Sequence, residues 1–336
     1  MKTAKILFTV TLGLAAVMTP DAFAQRQFAQ PNIPVCHMRG APGHARELVS
    51  QSLLGTPLRV IDNVQDWSRV ETPEGYRGYV RRNSLTFITP AELKAWQNAD
   101  RVIVTTYDKT YAYEDPAGTD VTTRVTGLLP GNILIVIEND GENRAVLVSL
   151  PDGREGWVKS DDVTPLDEWI TQDFDPAALP RDARAYMGLQ YLWGGSTPDG
   201  ADCSGFTQML AYRHGVLLPR DASQQVNAGE PVYTKPAVEK LDQKAISQFK
   251  PGDLIFFNTS GGQKINHVGY YAGHGDVIHC SGRVRVNSLV PGDTGYDPSL
   301  NILQVNRLTP ASVKALRKRI MPLYGLVPAT DTDNKQ

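Results

Sequence analysis

Cys203 is the residue of this sequence that is best placed to act as a nucleophile. It follows a glycine-rich polar loop over residues 194–202, and Phe206, Met209 and Leu210 then recur at helical spacing. A cysteine at the start of a helix lies beside unpaired N–H groups and the positive end of the helix dipole, which stabilise a thiolate. Since a buried structural cysteine also fits this position, the prediction of a nucleophile needs a histidine nearby.

Two histidines are predicted to lie on one face of a β-hairpin whose turn is centred on His274. This centring puts His267 opposite Ser281 and turns His279 toward the same face. His267 would then accept the proton of the Cys203 thiol, and His279 would orient its ring. The alternative for His279 is a strand histidine that only satisfies its own hydrogen bonds.

The sequence predicts neither a metal nor another cofactor. His267 and His279 have no third cysteine, histidine or carboxylate at ligand spacing, and Cys280 should point to the opposite face of the sheet. The chain has 3 cysteines, which is too few, and an odd number, for a disulfide scaffold. Cys36 and Cys280 are therefore interpreted as buried thiols.

Four short motifs resemble those of the NlpC-type cysteine peptidases, whose fold is a reduced papain-like α+β domain. The motifs are Asp202-Cys203-Ser204-Gly205-Phe206, Gly252-Asp253-Leu254-Ile255-Phe256-Phe257, His267-Val268-Gly269 and Ile278-His279. The resemblance implies Cys203 as nucleophile, His267 as base and His279 as the orienting residue. It also implies that Tyr191 stabilises the oxyanion with the Cys203 backbone N–H. Trp193, two residues later, is expected to serve packing.

Two all-β segments precede the segment with these motifs. Residues 31–90 and 101–165 each have the short alternating strands and turn signals of a small barrel. Both contain a hairpin turn followed by Gly-aromatic-Val, whose aromatic residues Tyr79 and Trp157 are expected in the core. The repeat predicts two SH3-like barrels linked by a helix over residues 90–98.

The fold class predicted is α+β, with a papain-like NlpC-type catalytic domain preceded by two small all-β SH3-like barrels. The predicted boundaries are a signal peptide at 1–24, the first barrel with its linker helix at 25–98, the second barrel at 99–170, the peptidase domain at 171–327 and a disordered tail at 328–336.

This domain order resembles that of the γ-D-glutamyl-L-diamino acid endopeptidases, which process peptides already released from murein. In that family a barrel residue partly closes the site, so that only ligands with a free N-terminal L-Ala fit. The first barrel has Tyr76 where the second has Arg154. Because the barrel does not demand the tyrosine, Tyr76 is expected to face the substrate, as is Glu47. An ordinary surface position is the alternative for both.

The substrate that this resemblance implies is a murein tri- or tetrapeptide, L-Ala-γ-D-Glu-diamino acid. Its ammonium must be neutralised on burial, and Asp202 and Glu47 are the candidate carboxylates. Arg220 is expected to pair with the D-Glu α-carboxylate, and Asp221 either to bind the amine or to cap the following helix. Ser223, one residue later than the family pattern, and Ser204 complete the predicted substrate-binding set.

The N-terminus predicts export to the periplasm or the medium. Lys2 and Lys5 precede an apolar run over residues 6–18, and Ala22-Phe23-Ala24 fits a signal peptidase site. No second apolar stretch is long enough to insert stably in a membrane. A net charge of −2 without a basic stripe argues against nucleic acid. A monomer is expected.

Two alternatives stay open. The same site would serve an amidase, an acyltransferase or an endopeptidase that acts on intact peptidoglycan. A non-catalytic wall-binding protein is the alternative from another class, although a pure binder would need none of the three residues Cys203, His267 and His279.

Overall fold

The computed structural model describes residues 27–235 and 243–326. The predicted signal peptide and the predicted tail lie outside the described residues. Within those ranges, no helix is both long and apolar enough to cross a membrane.

The first barrel is a seven-stranded antiparallel sheet in the order β3-β2-β6-β5-β4-β1-β7. Its strands are β1 (Phe28–Pro31), β2 (Val35–Arg39), β3 (Leu48–Leu53), β4 (Leu58–Val64), β5 (Trp67–Glu71), β6 (Arg77–Arg81) and β7 (Leu85–Ile88). Its core contains Ala29, Cys36, Met38, Leu58, Val70, Val80 and Leu85.

The second barrel repeats this topology in the order β10-β9-β13-β12-β11-β8-β14, with each strand number raised by 7. Its strands are β8 (Arg101–Val104), β9 (Thr110–Tyr113), β10 (Arg124–Leu128), β11 (Ile133–Asp140), β12 (Ala145–Ser149), β13 (Glu155–Lys159) and β14 (Val163–Pro165). The identical strand order confirms the duplication predicted from the Gly-aromatic-Val repeat.

The expectation for the aromatic residues of that repeat was wrong. Gly78 and Val80 are buried, whereas Tyr79 between them is only half-buried. Trp157 of the second barrel is likewise half-buried. The glycine faces the core because only a residue without a side chain fits there: a Cβ on Gly78 would lie 3.0 Å from that of Met38. Strand alternation then turns the aromatic ring outward.

Helix α1 (Pro90–Asn98) connects the barrels, over the range predicted from the sequence. Thr89 accepts a hydrogen bond from the N–H of Glu92, and the Glu92 carboxylate accepts one from the Thr89 N–H. This reciprocal pair and a proline at the first helical position define where the helix starts. Gln97 of α1 donates to the carbonyls of Pro322 and Leu323, so the connection is held to the C-terminal domain.

The C-terminal domain packs helices on a six-stranded antiparallel sheet of order β17-β22-β18-β19-β20-β21. The strands of this sheet are β17 (Glu230–Thr234), β18 (Leu254–Asn258), β19 (His267–Gly273), β20 (Asp276–Ser281), β21 (Arg283–Ser288) and β22 (Asn301–Arg307). Two short strands, β15 (Ser196–Thr197) and β16 (Gly200–Ala201), pair with each other in a separate sheet. The helices are α2 (Leu166–Thr171), α3 (Ala178–Ala183), α4 (Cys203–Arg213), α5 (Ala222–Gln225), α6 (Gln243–Ile246) and α7 (Pro310–Tyr324).

Helix α4 is buried against one face of this sheet. Phe206 and Leu210 of the helix share a core with Tyr270 of β19 and Ile278 of β20. The Tyr270 hydroxyl also donates to the carbonyl of Thr207 in α4, at 2.8 Å. The predicted α+β class is confirmed, and the packing fixes the first turn of α4 beside the start of β19.

Candidate active site

Cys203 is the first residue of α4 and is 7% exposed. Asp202 caps the helix by accepting a hydrogen bond from the Gly205 N–H, at 2.7 Å. The backbone N–H groups of Ser204 and Val268 face the Cys203 thiol. Because Val268 is the second residue of β19, the sulfur lies at the start of the strand that His267 opens.

Burial raises the pKa of the Cys203 thiol to about 11. The Asp202 carboxylate raises it further, while the two backbone N–H groups act in the opposite direction. The sequence suggested a thiolate stabilised by the helix start, and this expectation is not met in the resting site. Desolvation and a neighbouring carboxylate outweigh the helix terminus, so the resting nucleophile is a neutral thiol.

His267 and His279 form the pair that the hairpin register predicts. Tyr270 pairs with Ile278, and His274 lies in the turn with φ +55°, so the hairpin is centred as expected. The His267 Nε2 lies 2.6 Å from the His279 Nδ1. This contact occupies Nε2 of His267 and leaves its Nδ1 as the nitrogen available to the thiol.

Asn287 of β21, which the sequence analysis missed, determines where the protons of the pair lie. The Asn287 amide donates to the carbonyl of Gly295 at 2.7 Å, which turns its Oδ1 toward the His279 Nε2 at 2.9 Å. An amide oxygen only accepts, so Nε2 of His279 carries the proton and its Nδ1 is the acceptor. His267 then donates from Nε2, and its Nδ1 has a free lone pair. Asn287 pairs with Val277 across β20, but no local motif marks it.

Burial lowers the pKa of His267 to about 3 and also lowers that of His279. Together with the raised pKa of the thiol, this keeps both imidazoles and Cys203 uncharged at neutral pH. Among the described residues no hydrogen bond joins Cys203 to His267, and catalytic hydrogen bonds often tighten only when substrate binds. The site is therefore set for a proton transfer that accompanies nucleophilic attack.

Tyr191 lies in the loop before Cys203 and is held by backbone bonds. Its N–H donates to the carbonyl of Gly282 at 3.0 Å. Burial raises the pKa of the Tyr191 hydroxyl, and the electrostatic interaction with Cys203 adds to the rise as both groups lose their protons, so the two side chains are close. A phenol with a raised pKa stays protonated and can donate to an oxyanion. The structure thus brings Tyr191 together with the cysteine and the histidine pair.

Comparison with known proteins decides the family. The NlpC/P60 family profile matches residues 188–297, and the profile of the bacterial dipeptidyl-peptidase SH3 domain matches residues 38–85. A γ-D-glutamyl-L-lysine dipeptidyl-peptidase of Bacillus cereus is 30% identical over 267 residues, covering 75% of this chain and 73% of the relative. The chain belongs to the NlpC/P60 family of cysteine peptidases.

Two further relatives agree with this assignment. Dipeptidyl-peptidase 6 of Lysinibacillus sphaericus is 29% identical and aligns over 76% of this chain and 89% of its own length. The crystal structure of an NlpC/P60 family protein from Bacillus cereus superposes with a TM-score of 0.67 at 23% identity, covering 84% of this chain and 100% of the other. The resemblance seen in the sequence motifs is confirmed, and the shared fold includes the barrels.

Asp202, Ser204 and Arg220 form a buried cluster at the start of α4 of this NlpC/P60 peptidase. Arg220 is 1% exposed, and its guanidinium makes two bonds to the Asp202 carboxylate, of 2.6 and 3.0 Å. It also donates to the Ser204 hydroxyl at 3.1 Å. The carboxylate further accepts from the backbone of Gly194 and Gly205.

This arrangement differs from the roles expected of the three residues. Each oxygen of Asp202 already has two or more donors, which leaves no position for a substrate ammonium, and the Arg220 guanidinium faces Asp202 rather than an open cleft. Paired charges of this kind tolerate burial because each satisfies the other. The cluster supports the helix start that presents Cys203.

Tyr76 of the first barrel reaches Asp221, which directly precedes α5. Burial raises the pKa of Tyr76 to about 12, and the Asp221 carboxylate adds to the rise. Burial also raises the pKa of Asp221, while Arg220 and the Tyr76 hydroxyl lower it. The two side chains therefore face each other across the domain boundary. Ser223 lies on α5 and is exposed.

Glu47 and Trp193 meet at the rim of the site. The Trp193 indole N–H donates to the Glu47 carboxylate at 2.8 Å. Trp193 is 61% exposed, so the expectation that it serves core packing was wrong. Its backbone turns at Gly194, whose N–H bonds Asp202, and this turn leaves the indole outside the core. Glu47 keeps one carboxylate oxygen outside this contact.

Within residues 27–235 and 243–326 no group of three or more cysteine, histidine or acidic residues could hold a metal ion. Cys36 and Cys280 are free and buried, as interpreted from the sequence. The Cys280 thiol donates to the carbonyl of Ala201, on the face of β20 opposite to His279. The chemistry that the described site supports is thiol addition to a carbonyl with imidazole as the base.

Proposed function

We propose that this peptidase hydrolyses the γ-D-Glu–diamino acid bond of free murein tri- and tetrapeptides that begin with L-Ala. The observation that carries the proposal is the meeting of Tyr76 with Asp221, both of which interact with Asp202, the residue directly before the nucleophile. A barrel side chain at this place closes the cleft on one side, which favours a short peptide over a polymer. The relatives from Bacillus cereus and Bacillus subtilis are γ-D-glutamyl-L-lysine dipeptidyl-peptidases, which supports a substrate of this type.

The ammonium of L-Ala binds between the Asp221 carboxylate and the free carboxylate oxygen of Glu47. Asp221 is half-buried, and a cation beside it restores the charged form that burial disfavours. A blocked amine would lose this pairing and would meet the Tyr76 ring. With the amine bound there, the scissile γ-carbonyl of D-Glu would lie over Cys203.

The reaction begins when the Cys203 sulfur attacks the γ-carbonyl carbon of D-Glu as Nδ1 of His267 takes the thiol proton. The oxyanion is stabilised by the Tyr191 hydroxyl and the Cys203 N–H, which has no partner within the helix because it opens α4. The intermediate collapses as His267 returns the proton to the departing amine, leaving a thioester. Water, deprotonated by His267, then hydrolyses the thioester and regenerates the thiol.

The direct test follows release of the diamino acid from L-Ala-γ-D-Glu-diaminopimelate by mass spectrometry. Cys203→Ala should abolish release and keep the melting temperature, since its side chain contributes only a small part of the core. Acetylation of the L-Ala amine should lower kcat/KM by about tenfold to a hundredfold, the cost of a lost charge-assisted bond. Retained turnover by Cys203→Ala would reject the mechanism.

Intact sacculi provide the control for the rival substrate. We expect the enzyme to release no soluble fragments from sacculi under conditions in which it converts the free tripeptide fully. Efficient release from sacculi, with little difference for the acetylated peptide, would favour an endopeptidase of intact wall.

The proton path through Asn287 can be tested separately. Asn287→Leu should lower kcat by about fivefold, the equivalent of one neutral hydrogen bond. Asn287→Asp places a carboxylate on His279, which raises the pKa of the histidine pair. Because His267 must be neutral to act as base, the acid limb of kcat/KM should move to higher pH. An unshifted profile in Asn287→Asp would contradict this path.

We also propose that the protein is exported and acts as a monomer outside the cytoplasm. Cleavage after Ala24 would make Gln25 the first residue of the mature chain. N-terminal sequencing of the protein recovered from a periplasmic extract tests this, and recovery only in the cytoplasmic fraction would contradict it.

A further inference from the structure

The loop that connects Tyr191 to the nucleophile lies against strand β3 of the first barrel. At one end the Trp193 indole bonds Glu47, directly before β3. Farther along, the Ser196 backbone N–H donates to the Gln51 side-chain oxygen at 2.8 Å. Two side chains of one barrel edge therefore hold two points of the loop.

Between these points the loop backbone touches the barrel backbone. Gly194 has φ +75°, and a Cβ there would lie 2.3 Å from the carbonyl oxygen of Leu48, so the approach requires glycine. The Gly194 N–H donates to the Asp202 carboxylate on the other side, at 2.9 Å. The loop is thus fixed between the barrel edge and the cap of the catalytic helix.

The barrel fold itself does not need Gln51. Gln51 pairs with His37 across β2, and the equivalent pair in the second barrel is Gly127 with Tyr111. The equivalence follows from the neighbouring residues Met38 and Ala112. Met38 lies against Gly78 of β6, and Ala112 lies in the same way against Gly156 of β13. Gln51 is 8% exposed, and its oxygen bonds another domain rather than its own sheet.

We propose that Gln51 is a positioning residue for the reaction: it holds the loop at Ser196 so that the Tyr191 hydroxyl stays aligned with the oxyanion. The first barrel then contributes to the catalytic step as well as to substrate selection. Without Gln51 the loop loses its hydrogen bond to the barrel at Ser196 and keeps only the contacts at Trp193 and Gly194. A displacement of about 1 Å at a reacting centre can lower the rate by about a hundredfold. This inference rests on the proposed function for its kinetic part.

The test compares Gln51→Ala with Gln97→Ala in the full-length protein. Gln97 also bonds the C-terminal domain through its side chain, but at α7, so it is a matched control for lost contacts between domains. Gln51→Ala should lower kcat by about tenfold to a hundredfold with KM within about threefold. Gln97→Ala should keep kcat within about twofold. Gln51→Glu, which keeps an acceptor oxygen, should recover most of the loss.

Two further readouts separate positioning from general damage. Amide hydrogen exchange of residues 191–197 should speed up in Gln51→Ala and stay unchanged in Gln97→Ala. The alkylation rate of Cys203 by iodoacetamide should stay within about twofold in both, because the nucleophile is not the group displaced.

Equal kcat losses in the two variants, or a loss confined to KM, would overturn the inference, as would faster loop exchange with unchanged kcat. If the unmodified protein does not cleave the tripeptide, the proposed function fails. In that case hydrogen exchange alone decides whether Gln51 holds the loop.

Discussion

The two barrels share a strand order but contact the catalytic domain in different ways. The first contacts the loops beside Cys203 with the side chains of Glu47, Gln51 and Tyr76. The second contacts the far side of the domain: Arg213 of α4 donates to the Thr106 carbonyl and stacks on Tyr107. One copy of the repeated fold therefore contacts the loops that precede the catalytic helix, and the other contacts the last residue of that helix.

One pair of equivalent residues illustrates the difference. Tyr76 of the first barrel faces Asp221, at the start of α5. Arg154, at the same place in the second barrel, bonds Asp152 and the carbonyls of Val125 and Asn32, so it connects the barrels to each other. Equivalent positions in the two barrels have different neighbours, and the neighbours determine which type of side chain is suitable at each position. Function can thus be located where the copies differ.

The largest effect is expected when Tyr76 of the first barrel is replaced by arginine, the residue at the equivalent position of the second barrel. Tyr76→Arg places a cation against Asp221, where the proposal puts the substrate ammonium, and like charges at one site cost several kcal/mol. We expect kcat/KM for the tripeptide to fall by about a hundredfold or more. Tyr76→Phe keeps the ring packed on the barrel and should lose about tenfold. Steady-state kinetics of the three proteins checks this, and near-equal values would remove Tyr76 from the site.

The reciprocal change should have a smaller effect. Arg154→Tyr removes a partly exposed ion pair and two bonds to carbonyls, which together stabilise the barrels by about 1–2 kcal/mol. The urea midpoint should decrease while kcat/KM stays within about twofold. A tenfold loss of activity would mean that the second barrel also acts at the site, and the contrast between the copies would fail.

The smallest effect expected at neutral pH is on stability and comes from the catalytic domain, as a loss that develops only when the pH falls. Burial lowers the pKa of His267 to about 3, from an ordinary value of 6.5. The unfolded chain therefore takes up a proton that the folded chain refuses, and stability is lost as pH falls below 6.5. His267→Asn should remove this loss, so the variant should gain on the parent by up to about 1.4 kcal/mol per pH unit below pH 6.

Urea unfolding at pH 7 and pH 5 measures that gain as a difference between variant and parent, which cancels the contributions of groups that do not contact His267. A variant that keeps the pH dependence of the parent would show that His267 is protonated in the folded state at pH 5.

Much of the active site could be predicted from the sequence because its signals are local. The position of Cys203 after a loop and at the start of a helix indicated the nucleophile. The two-residue period of the strands around the turn at His274 placed His267 and His279 on one face, where the His267 Nε2 lies 2.6 Å from the His279 Nδ1. The duplication of the barrel was predictable from the repeat, although not the outward face of Tyr79. Local periodicity does not tell which of two adjacent residues meets the core when one is glycine.

The class of chemistry could be predicted from the amino-acid sequence alone, since helix starts and strand alternation set which side chains share a face. The pairing of Arg220 with Asp202, the contact of Asn287 with His279 and the bond from Ser196 to Gln51 became visible only in the folded molecule. Each of these depends on contacts between residues distant in the chain, whose partners no local pattern specifies. Burial, which comes from packing alone, also decided that the resting thiol is neutral although it starts a helix.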